Sequence, residues 1–154
     1  MIKLNIEVNS KSWIKKIKTP KKYFNKKLKK ISENITFIKG RNIVFTILLT
    51  NSSNIKKLNK KFRRKNKVTD VLSFPYFSHK NLRLSKKIYT YIGDIAICYE
   101  VINIRSNKNN FFSEFDKAWV HGFLHLLGFD HIKNKDYFRM NRIEKKILNT
   151  IPKS

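Results

Sequence analysis

The sequence predicts one α+β domain spanning residues 1–154. Four short apolar runs have the length and composition of strands, and stretches with helical periodicity lie between and after them. Neither an internal repeat nor a long linker divides the chain. At this length a hydrophobic fraction of 41% with twelve phenylalanines is enough to build a core.

Taken in order, Ile2, Leu4, Ile6 and Val8 alternate with polar residues, the period of a half-buried strand. Thr19-Pro20 supplies an N-cap followed by proline at the first helical position, and Phe24, Leu28 and Ile31 give that helix one apolar stripe. IVFTILLT (43–50) reads as a second, largely buried strand. Ser52 or Ser53 can then cap a helix with Ile55, Leu58 and Phe62 on one face. TDVLSF (69–74), stopped by Pro75, is a short third strand. A basic loop (76–88) leads into a fourth strand (88–99), interrupted at Gly93. SNKNN (106–110) breaks the chain before a helix that runs to Gly128, a left-handed cap. A last helix, roughly 134–149, turns Phe138, Ile143 and Ile147 inward.

Thirty-five basic residues against ten acidic ones give a net charge of +25. Such a surface attracts polyanions, RNA or DNA before anionic lipid. The A/T-rich codons of Lys, Asn, Ile and Phe offer a second source for the lysine excess, so the charge permits nucleic-acid binding without requiring it. The longest apolar runs are too short to span a bilayer. The alternating N-terminus does not read as a signal peptide. A single cysteine, Cys98, excludes an internal disulfide and fits a reducing cytoplasm.

Three of the four histidines fall in HGFLHLLGFDH (121–131). His121 and His125 stand one helical turn apart, about 6 Å along the axis and on nearly the same face. Gly128 lets the chain reverse after the helix and return His131 as a third ligand. Three imidazoles leave a tetrahedral ion with one open position, the pattern of a catalytic zinc site. A structural site would want a fourth ligand, and Cys98 lies on a distant strand. His79 stands apart in the basic loop. The spacing is also that of metzincin peptidases, which place a glutamate base directly after the first histidine. Gly122 cannot serve as that base, so the metal site survives while the peptidase reading weakens. A phosphodiester suits a metal site in a basic protein better, because cations and metal together stabilise its anionic transition state.

LNKKFRRKNKVTDVLSFP (58–75) supplies those cations in Arg63, Arg64 and Lys65 at a helix end. An arginine fork matches a phosphate with two parallel hydrogen bonds, although a basic helix end also suits the helix dipole alone. This segment, with IGDIAIC (92–98) and HGFLHLLGFDH, resembles the YbeY family of bacterial rRNA-maturation endoribonucleases. The family pattern runs N-x-x-[YF]-R, P-T-[DN]-V-L-S-F-P, G-D-I-x-I and H-G-x-L-H-L-x-G-[YF]-D-H. All four blocks occur here in that order between Asn59 and His131. Val68 departs from the usual proline and Asn66 from a frequent aspartate.

The resemblance implies a central sheet of about four strands surrounded by helices, with a zincin-like metal site. It implies a zinc-dependent, single-strand-specific endoribonuclease acting in 16S rRNA 3′-end maturation and 70S ribosome quality control. Its partners would be single-stranded and ribosomal RNA and ribosomal particles, in the cytoplasm, with no membrane. His121, His125 and His131 carry over as ligands of one Zn²⁺, and Arg63 as the arginine facing the metal cleft. Arg64, Lys65 and the 76–88 loop are expected to hold the flanking RNA backbone. Asp130 has three available roles: orienting a histidine, closing the helix end, or acting as general base. Asp70 is expected to bond amides at a strand start, and Asp94 to be structural or to point into the cleft. Three rivals remain: a zinc peptidase, a non-catalytic zinc-stabilised ribosome- or RNA-binding assembly factor, and a zinc hydrolase of small phosphoesters.

Overall fold

Parallel strands need helical crossovers, and the alternation of elements along this chain supplies them. In the computed structural model, which describes residues 1–78, 81–108 and 110–154, the order is β1 (Ile2–Val8), α1 (Lys11–Lys16), α2 (Pro20–Asn34), β2 (Ile43–Thr50), α3 (Ser52–Arg63), β3 (Val71–Pro75), β4 (Thr90–Cys98), α4 (Tyr99–Arg105), α5 (Phe111–Leu126) and α6 (Asn134–Thr150). One mixed sheet runs β1-β2-β4-β3. β1, β2 and β4 are parallel, and β3 is an antiparallel edge strand on β4. This is the α+β architecture expected, with four strands and surrounding helices.

The alternation of side chains across the sheet creates two apolar clusters. Ile43, Phe45, Ile47, Leu49, Ile95 and Ile97 form part of the main core, where Phe24, Ile31, Phe115, Trp119 and Phe123 of α2 and α5 also lie. Ala96, Leu72 and Cys98 meet Ile55 of α3 in a smaller second cluster. Deep in the main core, Asp116 accepts hydrogen bonds from Lys27 Nζ at 2.7 Å, Tyr23 Oη at 2.7 Å and Trp119 Nε1 at 2.8 Å. Lys27 Nζ also donates to Pro152 O at 2.7 Å, so one buried, fully bonded ion pair ties α2, α5 and the chain end together. This knot fixes α5, the helix that carries two of the histidines.

Several local expectations need correction. α1 and α4 were not foreseen, because each is short and α4 follows β4 without any intervening breaker. Asn51, not Ser52 or Ser53, caps α3, its side chain accepting from Asn54 N at 3.0 Å. Strand β4 runs through Gly93, where its register against β2 slips by a bulge. There φ is +131°, and a Cβ would stand 2.2 Å from Phe74 O. Phe138 is 68% exposed, while Met140 and Ile147 take the inward positions of α6. His79 and part of the basic 76–88 loop lie outside the described residues.

Candidate metal centre and cleft

α5 places His121 and His125 one turn apart, and Gly128, at φ +88°, reverses the chain behind them. The reversal is held by Gly128 N donating to His125 O and Phe129 N donating to Leu124 O, each at 3.0 Å. It brings His131 back, so that one ligating atom from each of the three imidazoles lies within 4.8 Å of the others. Asp130 Oδ1 accepts from His131 N at 2.7 Å and pins the returning backbone. Of its three available roles, this bond belongs to shaping the helix end.

The partners of the histidines decide whether an ion fits. His125 Nδ1 lies 2.9 Å from Phe129 O, which can only accept, so that nitrogen carries the proton and Nε2 keeps its lone pair. Glu144 Oε2, 3.0 Å from His121 Nδ1, selects the same tautomer there. His121 Nε2 and His125 Nε2 lie 3.1 Å apart, so a proton or a cation between them satisfies both. Tetrahedral Zn–N bonds of about 2.0–2.1 Å would set ligand nitrogens about 3.3 Å apart, close to the separation of this pair. Burial, reinforced by His121 and His131, holds His125 below the ordinary histidine pKa and in its neutral, ligating form. The donor set fits a metal ion.

Gly122 answers why no glutamate follows the first histidine. A Cβ there would lie 2.9 Å from Ile95 Cγ2 and 3.1 Å from Ser73 Oγ. The position faces β3 and β4, and Ile95 and Ser73 leave no room there for a larger side chain.

The second wall comes from the α3–β3 connection. Arg64 closes α3 in the left-handed region at φ 57°, its N–H donating to Lys60 O and the Lys65 N–H to Asn59 O, each at 3.2 Å. The buried Asn59 side chain holds the following loop by donating to Lys67 O at 2.9 Å. Arg63 Nη2 donates to Ser73 O at 2.8 Å, across from the face where Gly122 packs. The result is a cleft of about 610 Å³ in which Arg63, Lys65 and Lys67 share the lining with His121, His125 and His131. Asp130 also lines it. Arg64 is not among the lining residues; its place is the helix cap.

The acidic residues sort themselves by partner. Asp70 reaches the cleft lining, yet its carboxylate bonds the Arg105 guanidinium and the Thr69 hydroxyl rather than backbone amides. Asp94 is exposed on the sheet and accepts from Tyr91 Oη at 2.5 Å, away from the cleft. Glu144 was missed by sequence reading. It lies far along the chain in a charged helix, and no local spacing marks it as a histidine partner. Asn59 opens the motif that ends in Arg63, but its bond to a backbone carbonyl, Lys67 O, has no sequence signal.

Three convergent imidazoles beside a four-stranded α+β sheet define a protein with a zincin-like site that could hold a metal ion. The family model described as Endoribonuclease YbeY matches residues 5–152. Endoribonuclease YbeY of Pelagibacter ubique is 47% identical over 153 residues, covering 98% of this chain and 97% of that protein. The protein of the same name from Buchnera aphidicola subsp. Acyrthosiphon pisum is 38% identical over 151 residues, covering 94% and 90%. This chain belongs to the YbeY family. The solution structure of TM1509 from Thermotoga maritima shares the fold, with a TM-score of 0.60 at 24% identity over 97% of this chain and 88% of that one.

Proposed function

We propose that this protein is a zinc-dependent, single-strand-specific endoribonuclease that acts in 16S rRNA 3′-end maturation and 70S ribosome quality control in the cytoplasm. One observation carries the reading: a guanidinium and three metal-competent imidazoles line the same cleft. The endoribonuclease activity for which the relatives are named and the net charge of +25 support RNA as the substrate.

His121, His125 and His131 would hold the ion. Zinc, when bound, supplies Lewis acidity that polarises a phosphoryl oxygen and acidifies water. Arg63 grips the scissile phosphate and neutralises the charge that develops in the transition state. Its bond to Ser73 O aims the guanidinium before substrate arrives, so little reorganisation is needed at the moment of reaction. Lys65 and Lys67 hold the flanking phosphates from the same wall. Arg64 contributes charge from the cap behind it. Such contacts make affinity fall as salt rises. Glu144 and the Phe129 carbonyl keep two imidazoles in the ligating tautomer, and Asp130 keeps His131 in place.

The test is cleavage by zinc-loaded protein of a labelled single-stranded RNA spanning the 16S 3′ end. The same sequence as a duplex, a peptide and a small phosphodiester serve as competing substrates. Cleavage confined to the single strand, abolished by a chelator and restored by zinc, is expected. Peptide or small-phosphodiester hydrolysis without RNA cleavage would transfer the site to one of those rival chemistries. Zinc binding without any RNA cleavage, even on ribosomal particles, would leave a non-catalytic assembly factor.

A further inference from the structure

Beyond the arginine-lined cleft, the metal centre has a second flank. His121 and His131 also line a smaller pocket of about 230 Å³, whose other walls come from α6: Tyr137, Met140, Asn141 and Glu144. The two cavities therefore share His121 and His131 in their walls. Their chemistry differs. The large one offers fixed cations, whereas the small one offers an aromatic ring, an amide, the apolar Met140 and the Glu144 carboxylate that bonds His121.

Tyr137 is 51% exposed, and its ring makes an edge contact with Phe138 at 5.7 Å between centroids. Tyr137 N bonds Lys133 O at 2.9 Å, which anchors this residue in the first turn of α6. Ile132, 83% exposed, lines the large cavity directly after the third histidine. An exposed aromatic ring and an exposed aliphatic side chain beside a polar centre offer apolar surface that a ligand gains by covering. A phosphate cannot do so, but a nucleobase can. It brings a flat apolar face for the ring and a polar edge for an amide such as Asn141.

We propose that the Tyr137 pocket is a subsite for one unpaired base of the RNA strand, stacked on the Tyr137 ring with its edge toward Asn141, next to the phosphate held by Arg63. The inference rests on the RNA-cleaving reading above and adds a physical source for single-strand selectivity. A base held in a double helix is stacked on both faces and cannot enter the pocket. An unpaired base can enter at little cost. The strand lies with its phosphates against the Arg63 wall and turns one base into α6 as it passes the histidines.

The experiment measures RNA binding by anisotropy with zinc-loaded protein carrying Arg63→Ala, so that affinity is read without cutting. The ligands are one single-stranded RNA and a series in which a single abasic nucleotide is walked along it. Tyr137→Ala is expected to weaken the intact RNA about tenfold. It should make no difference to the one member whose abasic position matches the pocket. Tyr137→Phe should bind like the parent. Tyr137→Trp adds a fluorophore that intact RNA quenches and the matching abasic RNA does not; the emission of the buried Trp13 and Trp119 is subtracted with the parent protein under the same titration. Loss of affinity by Tyr137→Ala that is equal for every abasic ligand, or no loss at all, overturns the subsite. Failure of wild-type protein to cut RNA would overturn the proposed function instead, and the binding series would still decide whether a base enters this pocket.

Discussion

The two walls of the cleft are built on opposite plans. The histidine wall is local: two ligands come from one turn of α5, and the third returns through a tight reversal at Gly128. The cationic wall is assembled at a distance. Arg63 ends α3, and it meets the histidines only because its guanidinium reaches Ser73 on the edge strand that α5 crosses. Each histidine position also has its own support, from Glu144, Phe129 O and Asp130. The histidines are set by one helix turn and one reversal, whereas on the cationic wall Arg63 is aimed by its bond to Ser73 O.

Substitutions can separate the walls. The largest effect is expected from His125→Ala, which removes a ligand and should abolish stoichiometric zinc binding, measured by metal content after dialysis, together with RNA cleavage. Arg63→Ala should retain a full complement of zinc yet lower cleavage by about 10²–10³-fold, the scale for removing one preorganised charge-stabilising donor. Loss of zinc from that variant would show that the walls are not independent. Glu144→Ala should weaken zinc about 10–100-fold in a competition titration while leaving the cationic wall intact.

Smaller effects test the joint and the rim. Gly122→Ala pushes a methyl against Ile95 and Ser73, where α5 meets the sheet. It should cost about 1–2 kcal/mol in denaturant unfolding, after part of the overpacking cost is offset by better helix propensity. An unchanged or higher stability would mean that the contact relaxes and that glycine is not needed there for packing. Lys65→Ala should change affinity at low salt only a few-fold and reduce the slope of log affinity against log salt by about 0.7.

Much of the histidine wall was legible because a helix repeats within one turn. Spacing alone put His121 and His125 together, and Gly128 marked the reversal toward His131. Strands Ile2–Val8 and Ile43–Thr50 were equally readable from alternation and apolar length. Phe138 misled, since an apolar residue in an α6 register says nothing about whether a neighbour exists to cover it. The missing glutamate could be noticed in the sequence but not explained, because the close approach of Ile95 to Gly122 involves a strand that is remote in the chain.

The sequence by itself therefore determined the α+β class, the main strands and helices and the three-histidine cluster, all of which rest on short local spacings. Family resemblance pointed to Arg63, which lines the same cleft. Only the tertiary structure decided that Glu144 bonds His121, that Asn59 and Ser73 hold the cationic wall, and that Tyr137 shares a pocket with His121 and His131. Those pairings depend on strand order and helix packing, which bring together residues that no local period connects.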